Sequence, residues 1–364
     1  MMRLLLPVLL LFFQSSRSFI LPAPDLRQHP QQQWKACHRL IVVVPRATLD
    51  ANADDLTKKS LRLALGIGQT TTTSPTSSLL RHRPKVIGHR GALYEELENT
   101  RASFLRCVEW GCDAVELDVF CIRDGTLVVF HGGGTDEHPG DLSEHCLHQT
   151  GVSILDLTYE ECLQLQFNPD YAEFPCPPEK IQQATIPTLE QVLLDLKDTK
   201  TQVKIELKMF DTTEPVLKLV EQLEMVQQCQ FSSFDHQALQ WLRQLRPQTD
   251  PNGNHVYRTG ALFNVPVPDS FVEQALAIQA NEVHLRYDMC TIDRIQAIHT
   301  AGLQSMAWLR GPIGMASDVK DKYWDVGNED ETCYKVLIDT NVQQICCNRP
   351  NVLIDLLKRW PVPQ

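Results

Sequence analysis

From Lys85 onward, short apolar β-branched runs alternate with segments whose apolar residues recur at helical spacing, and few folds satisfy that alternation. KVIGHR (85–90) precedes a helical run from Thr100 to Trp110, and AVELDVFCI (114–122) precedes PTLEQVLLDLK (187–197), with Pro187 placed for a first turn. QVKIELK (202–208), QFSSF (230–234) and VYRTGALF (256–263) are each followed by a helical pattern, near 214–225, 235–245 and 270–279. EVHLRY (282–287) leads into a helix closed by Gly302, LQSMAWL (303–309) into ETCYKVLIDT, and VQQICCN (342–348) into a helix after Pro350. Leaving out one hairpin arm, eight strands each broadly followed by a helix over about 275 residues predict an α/β chain folded as a (β/α)8 TIM barrel. A doubly wound open sheet is the rival arrangement. Neither a GxGxxG nor a Walker loop follows the first strand to support it.

The stretch AVELDVFCIRDGTLVVFHG (114–132) sets two acids inside an apolar run. Alternate strand residues share a face, so Glu116 and Asp118 point the same way while Val115, Leu117 and Val119 point the other. Asp124-Gly125 reads as a two-residue hairpin turn. With Arg123 paired to Thr126, the register sets Asp118 opposite His131. Two carboxylates and an imidazole would then converge, a grouping rarely buried without a metal or substrate to satisfy it. In a barrel the chemistry sits at the C-terminal strand ends, which carry His89-Arg90, Glu116/Asp118, Glu206/Lys208 and Trp308.

The first 84 residues differ from the rest. Arg3, an apolar core from Leu4 to Phe13 and Ser16-Arg17-Ser18 read as a signal peptide over 1–18, with a core too short to span a bilayer. Residues 19–84 hold nine Lys/Arg against four acids, a Gln run and TTTTSPTSS, a composition suited to a transit-like or disordered linker. SRSFILP is similar to the bipartite plastid presequences in which an aromatic residue follows signal cleavage, so the expected routes are secretory entry to an endomembrane or secreted location, or a plastid. No stable membrane insertion is expected after cleavage. From Lys85 on, 41 acids face 23 Lys/Arg, a balance that excludes a nucleic-acid surface. The cysteines lack zinc spacing and read chiefly as buried thiols, with a disulfide or two open.

VIGHRG, ENT at 98–100, ELD with VVFH, TGVSILDLTYEE (150–161), IPTLEQVL (186–193), IELK (205–208), FSSFD (231–235) and Trp308 occur in one order across 85–360. This set resembles the glycerophosphodiester phosphodiesterase family. The resemblance implies a barrel enzyme that cleaves glycerophosphodiesters to glycerol 3-phosphate and an alcohol with a divalent cation. It assigns His89 and His131 to general acid–base catalysis, Glu116, Asp118 and Glu206 to the metal, and Arg90, Lys208 and Glu98 to the substrate region, Glu98 as an orienter of Arg90 or a histidine. Trp308 is expected either to line the mouth for the glycerol or headgroup or to fill the barrel. The residues themselves agree on the kind of site: three hard oxygen donors with no cysteine cluster suit one Mg2+ or Ca2+ rather than zinc. A planar guanidinium suits a phosphate. The partner implied is a small-molecule glycerophosphodiester, and the sequence leaves the oligomeric state open. A lysophospholipase D or phosphoinositide-type activity, or a barrel that binds phosphodiesters without turnover, are the alternatives.

Against the family pattern, Gly132 replaces an Asp after His131, and Cys347-Asn348-Arg349-Pro350 replaces Thr-Asp-x-Pro. The insertion after the second strand, 132–183, is expected to cap the site and choose the substrate. Its His138, His145 and His148 fit no metal-ligand spacing and are expected to face solvent. Asn99 or Thr100 is expected to cap the helix that follows.

Overall fold

The computed structural model describes residues 82–135, 138–171, 175–309 and 329–360. The leader and linker readings for 1–18 and 19–84 lie outside these residues, apart from 82–84.

Eight parallel strands close into a barrel: β1 (Lys85–Gly88), β2 (Ala114–Cys121), β6 (Gln202–Leu207), β7 (Cys229–Ser233), β8 (Arg258–Leu262), β9 (Glu282–Arg286), β10 (Gln304–Trp308) and β11 (Gln344–Cys347). Closure is explicit in the register, because Ile87 of β1 pairs with Ala114 on one side and Cys346 on the other. The remaining strands are the arm β3 (Leu127–Val129), antiparallel to β2, and the hairpin β4 (Gly133–Thr135) with β5 (His138–Asp141) inside the insertion.

Strand parity decides what each face meets. Val115, Leu117 and Val119 of β2, with Val203 and Ile205 of β6, point outward into one large apolar core shared with the helices. Those helices include α1 (Arg101–Trp110), α4 (Leu189–Leu196), α5 (Thr213–Gln222), α6 (His236–Leu245) and α10 (Pro350–Arg359). The two short helices of the insertion, α2 (Tyr159–Cys162) and α3 (Pro178–Gln183), precede α4 in the chain. Inward positions are mostly polar. Deep in the barrel Lys204 reaches Glu282 at 2.9 Å and Gln230 at 2.5 Å; Ile87, Ala114, Met306 and Cys346 form a thin apolar layer. Glu116, Asp118 and Glu206 share the inward face nearer the C-terminal mouth.

Helix boundaries follow capping chemistry. Thr100 caps α1 by accepting from the Ser103 amide, and Gly111 ends it in the left-handed conformation. Thr188, not Pro187, marks the start of α4: its hydroxyl accepts from Gln191 N, and Pro187 sits one residue earlier, where its carbonyl accepts from Val129 N at 2.9 Å. The eleven cysteines among the described residues are all free thiols, most of them buried. Among the described residues no helix is long and apolar enough to cross a membrane.

The insertion carries a second apolar cluster of its own. Leu142, Cys146, Ile154, Phe167 and Ile181 pack with Phe120 of β2 and with Val128 and Phe130 on and just after the arm β3. His138 and His148 are exposed, but His145 is buried in this cap, its ring 5.6 Å from Phe130 and 4.5 Å from Tyr171. The expectation of three solvent-facing histidines therefore fails for His145, which packs as an aromatic ring.

The hairpin register also departs from the two-residue turn. Val119 pairs with Val129 and Cys121 with Leu127, and Ile122 and Thr126 close a three-residue loop whose Gly125 has φ +84°. The partner of Asp118 is consequently Phe130, whose amide donates to the Asp118 carbonyl at 3.0 Å, and not His131. A one-residue shift would send His131 to the opposite face if the strand continued. The chain instead leaves the strand after Val129 and turns at Gly132, φ +65°, and His131 lines the barrel mouth.

Candidate active site

The loop after β1 is built to present two side chains. Gly91, at φ +90°, packs so tightly on Ser103 that an added Cβ would fall 2.2 Å from its hydroxyl. That hydroxyl accepts from Ala92 N at 2.7 Å and donates to the Arg90 carbonyl at 3.1 Å. Arg90, itself at φ +55°, is fixed by this clamp and turns its guanidinium inward. Its Nη1 donates to both oxygens of Glu98 at 3.1 Å, and its Nε lies 3.5 Å from Asp118 Oδ2. Glu98 thus orients Arg90, as one of its two expected roles had it, and among the described residues it does not line the cavity.

The three acids meet. Strand register sets Asp118 beside Glu206, and candidate ligand oxygens of Glu116, Asp118 and Glu206 lie within 4.8 Å of one another. Asn99 holds the middle one. In the left-handed conformation that Asn tolerates (φ +56°), it donates to Asp118 Oδ2 at 2.9 Å and accepts from the Asp118 amide at 3.3 Å. Lys208 donates to Glu206 at 2.9 Å and to Asp118 at 3.3 Å.

The charges are unevenly satisfied. Burial pushes the Glu116 carboxyl well above its ordinary range, and the charges of Asp118 and Glu206 push it further. Burial also raises Glu206, against the pull of Lys208. For Asp118 the burial penalty is outweighed by Lys208, His131 and Arg90, which hold it below the usual carboxylate range. Three crowded acids, two of them pushed toward neutrality, describe a cradle short of positive charge. A divalent cation would supply that charge, and an all-oxygen donor set fits a hard ion such as Mg2+ or Ca2+.

His89 and His131 flank the acids. His89 Nε2 is 3.9 Å from Glu116 Oε2, while its Nδ1 is 2.7 Å from Asn348 Oδ1. Burial and neighbouring Arg90 lower the His89 ring to about 3, and burial with Arg90 and Lys208 lowers His131 well below its ordinary value. Behind Asn348 lies Glu329, buried, which accepts from the Asn348 side-chain amide and whose carboxyl burial pushes up to about 7. The sequence assigns no role to Asn99 beyond helix capping and none to Asn348 or Glu329; the local signals are Asn99 within ENT and Asn348 within the departing Cys347-Asn348-Arg349-Pro350.

These groups open into a cavity of about 710 Å³. Glu144 and Tyr171 of the insertion form one wall; Phe234, Asn264, Arg286 and Trp308 belong to the barrel loops and strand ends opposite. Trp308 therefore lines the mouth, with Phe234 edge-on to its ring at 5.8 Å.

A sequence model of the glycerophosphoryl diester phosphodiesterase family matches residues 89–311, which hold every candidate metal ligand and both histidines. The chain belongs to the glycerophosphoryl diester phosphodiesterase family. Members are phosphoric diester hydrolases. Among relatives, a glycerophosphodiester phosphodiesterase of Caldanaerobacter subterraneus subsp. tengcongensis is 26% identical over 228 residues, covering 61% of this chain and 84% of that one. Human lysophospholipase D GDPD1 is 23% identical over 311 residues, covering 77% and 88%. Among solved structures, that of a candidate glycerophosphodiester phosphodiesterase of Galdieria sulphuraria superposes with a TM-score of 0.61 at 28% identity, over 78% of this chain and all of the other. The fold is shared as well by an Oleispira antarctica phosphodiesterase solved with sn-glycerol-3-phosphate, at a TM-score of 0.58, 21% identity and coverage of 76% and 97%.

Proposed function

We propose that this protein hydrolyses glycerophosphodiesters, the deacylated forms of phospholipids, to glycerol 3-phosphate and an alcohol. The observation that carries the reading is the convergence of Glu116, Asp118 and Glu206 with Arg90, Lys208 and two histidines at one cavity mouth. The three carboxylates would hold one Mg2+ or Ca2+, which when bound polarises the phosphoryl group and offsets its developing charge. Arg90 is already oriented by Glu98 and offers a planar fork to the non-bridging oxygens; Lys208 offers a point charge from the other side. His89, with Nδ1 held by Asn348, turns the free electron pair of Nε2 toward the site and takes a proton from the attacking oxygen. The negative charge of a bound phosphodiester raises the depressed His131, which then gives a proton to the leaving alkoxide.

The cavity wall formed by Phe234, Leu262, Val265 and Trp308 favours a second reading, in which one arm of the diester is apolar. That agrees with the lysophospholipase D name of a relative. One assay separates the readings. Glycerol 3-phosphate release from glycerophosphocholine is compared with choline release from lysophosphatidylcholine, each with Mg2+, with Ca2+ and with chelator, beside His131→Ala. Metal-dependent release from glycerophosphocholine that the substitution abolishes supports the first reading, and turnover of the lysolipid alone supports the second. Binding without turnover of either would leave a phosphodiester-binding barrel. For the leader, a mature N-terminus at Phe19 in protein purified from its source would support signal cleavage.

A further inference from the structure

We propose that Glu329 is a positioning residue for this site: by fixing which end of the Asn348 amide faces His89, it decides which ring nitrogen of His89 carries the proton. The inference rests on the reading that His89 moves a proton. An amide group has nearly the same shape either way round, so neighbours must choose its direction. Glu329 makes the choice through two oxygens with separate duties. Its Oε2 accepts from the Asn348 backbone amide at 2.9 Å, the Arg349 amide at 3.1 Å and the Tyr334 hydroxyl at 2.7 Å. Its Oε1 accepts from Asn348 Nδ2. When ionised, as at the pH of the test below, Glu329 offers only lone pairs, so the amide's NH2 must face it and the amide oxygen must face His89 Nδ1, 2.7 Å away. That nitrogen must then carry the ring proton, which leaves Nε2 as the basic atom beside Glu116. Glu329 and Asn348 are almost wholly buried, so bulk water offers little means of relaxing the arrangement.

The donor logic makes the experiment specific. In Glu329→Gln the three donors at the Oε2 position keep the carbonyl oxygen there, so the new NH2 falls against Asn348 Nδ2. Two donors cannot face each other, and Asn348 turns over, offering its own NH2 to His89 Nδ1 and moving the ring proton to Nε2. Adding Asn348→Asp reverses this, because an aspartate accepts from the introduced glutamine amide with one oxygen and from His89 with the other. The ring-nitrogen shifts of ¹⁵N-histidine-labelled full chain, at about pH 8 where free histidine is neutral, read the tautomer directly once His89→Gln has assigned the signals.

The expected pattern is an Nδ1–H ring in the wild type, an Nε2–H ring in Glu329→Gln and Nδ1–H again in the double variant. Turnover of glycerophosphocholine should fall about 100-fold in kcat in the single variant and return to within a few-fold in the double one, with KM and Mg2+ affinity little changed. Should Glu329→Gln fold poorly, Asn348→Ala reports instead: without an acceptor, His89 should show both tautomers and a lowered kcat. A ring that keeps Nδ1–H in Glu329→Gln or Asn348→Ala, or an inverted ring with undiminished kcat, overturns the proposal. Absence of wild-type turnover on any glycerophosphodiester overturns the substrate reading alone, since the ring pattern still decides the lock.

Discussion

Gly132, where relatives by family pattern carry an acid, offers a direct test of how the cap meets the site. The residue sits at φ +65°, and a Cβ there would lie 2.8 Å from the Gly140 Cα and 2.8 Å from Phe130 Cε1. Both contacts are closer than a methyl group tolerates, and one is with the backbone of β5, which cannot swing aside like a side chain. A left-handed backbone costs a side-chain-bearing residue about 1–2 kcal/mol, and overpacking against a fixed neighbour adds about 1–3 kcal/mol. Gly132→Ala should therefore destabilise by about 2–5 kcal/mol, an apparent Tm drop of roughly 4–20 °C for a domain this size. Gly132→Asp, which restores the family's acid, should lose at least as much. His131 precedes the clash, so relief by moving the chain displaces the ring, and kcat/KM on glycerophosphocholine should fall at least tenfold. Urea unfolding followed by circular dichroism, with steady-state kinetics on both variants, makes the measurement. A Gly132→Asp protein as stable as the wild type, or a faster one, would refute the argument that the β4–β5 crossing excludes a side chain here.

Removing metal with a chelator should abolish turnover, and Asp118→Asn or Glu206→Gln should weaken Mg2+ binding at least 100-fold by titration calorimetry; unchanged affinity would place the ion elsewhere. His145, lowered to about 4 by burial, is neutral in the folded cap while an unfolded histidine titrates near 6.5. Between those values the unfolded chain binds more protons. Its contribution is therefore complete above about pH 6.5 and declines as pH falls toward 4, by about 3 kcal/mol in all. The urea midpoint should drop between pH 7 and 4.5 in the wild type and drop less in His145→Phe. Arg243, buried, donates to the Tyr257 and Gln279 carbonyls, Thr259 Oγ1 and Asn281 Oδ1, tying α6 to the segments around β8 and β9. Arg243→Ala leaves those acceptors short of a donor and should cost about 3–5 kcal/mol. A loss under 1 kcal/mol in urea unfolding would show the network to be dispensable.

What the sequence discloses and what it hides divides along physical lines. Strand parity is a local property, so the outward Val115, Leu117 and Val119 and the inward Glu116 and Asp118 are legible from spacing alone. Lys208 and Glu206 share a face for the same reason. The turn is harder, because Arg123-Asp124-Gly125 suits a three-residue loop as well as Asp124-Gly125 suits a two-residue one, and one residue decides the register. His145 was misjudged because a cap built from short strands and turns has no periodicity to separate buried from exposed positions. The positioning groups were hidden for another reason: Asn99 and Asn348 are neutral amides whose meaning comes from long-range partners. Even so, Asn348 follows from the topology. Closing a barrel pairs its first strand with its last, and here Gly88 meets Cys347. The residues one step beyond, His89 and Asn348, are then neighbours although 259 positions separate them. A chain that reads as a closed barrel with a histidine after its first strand therefore already names the place where that histidine's partner must stand.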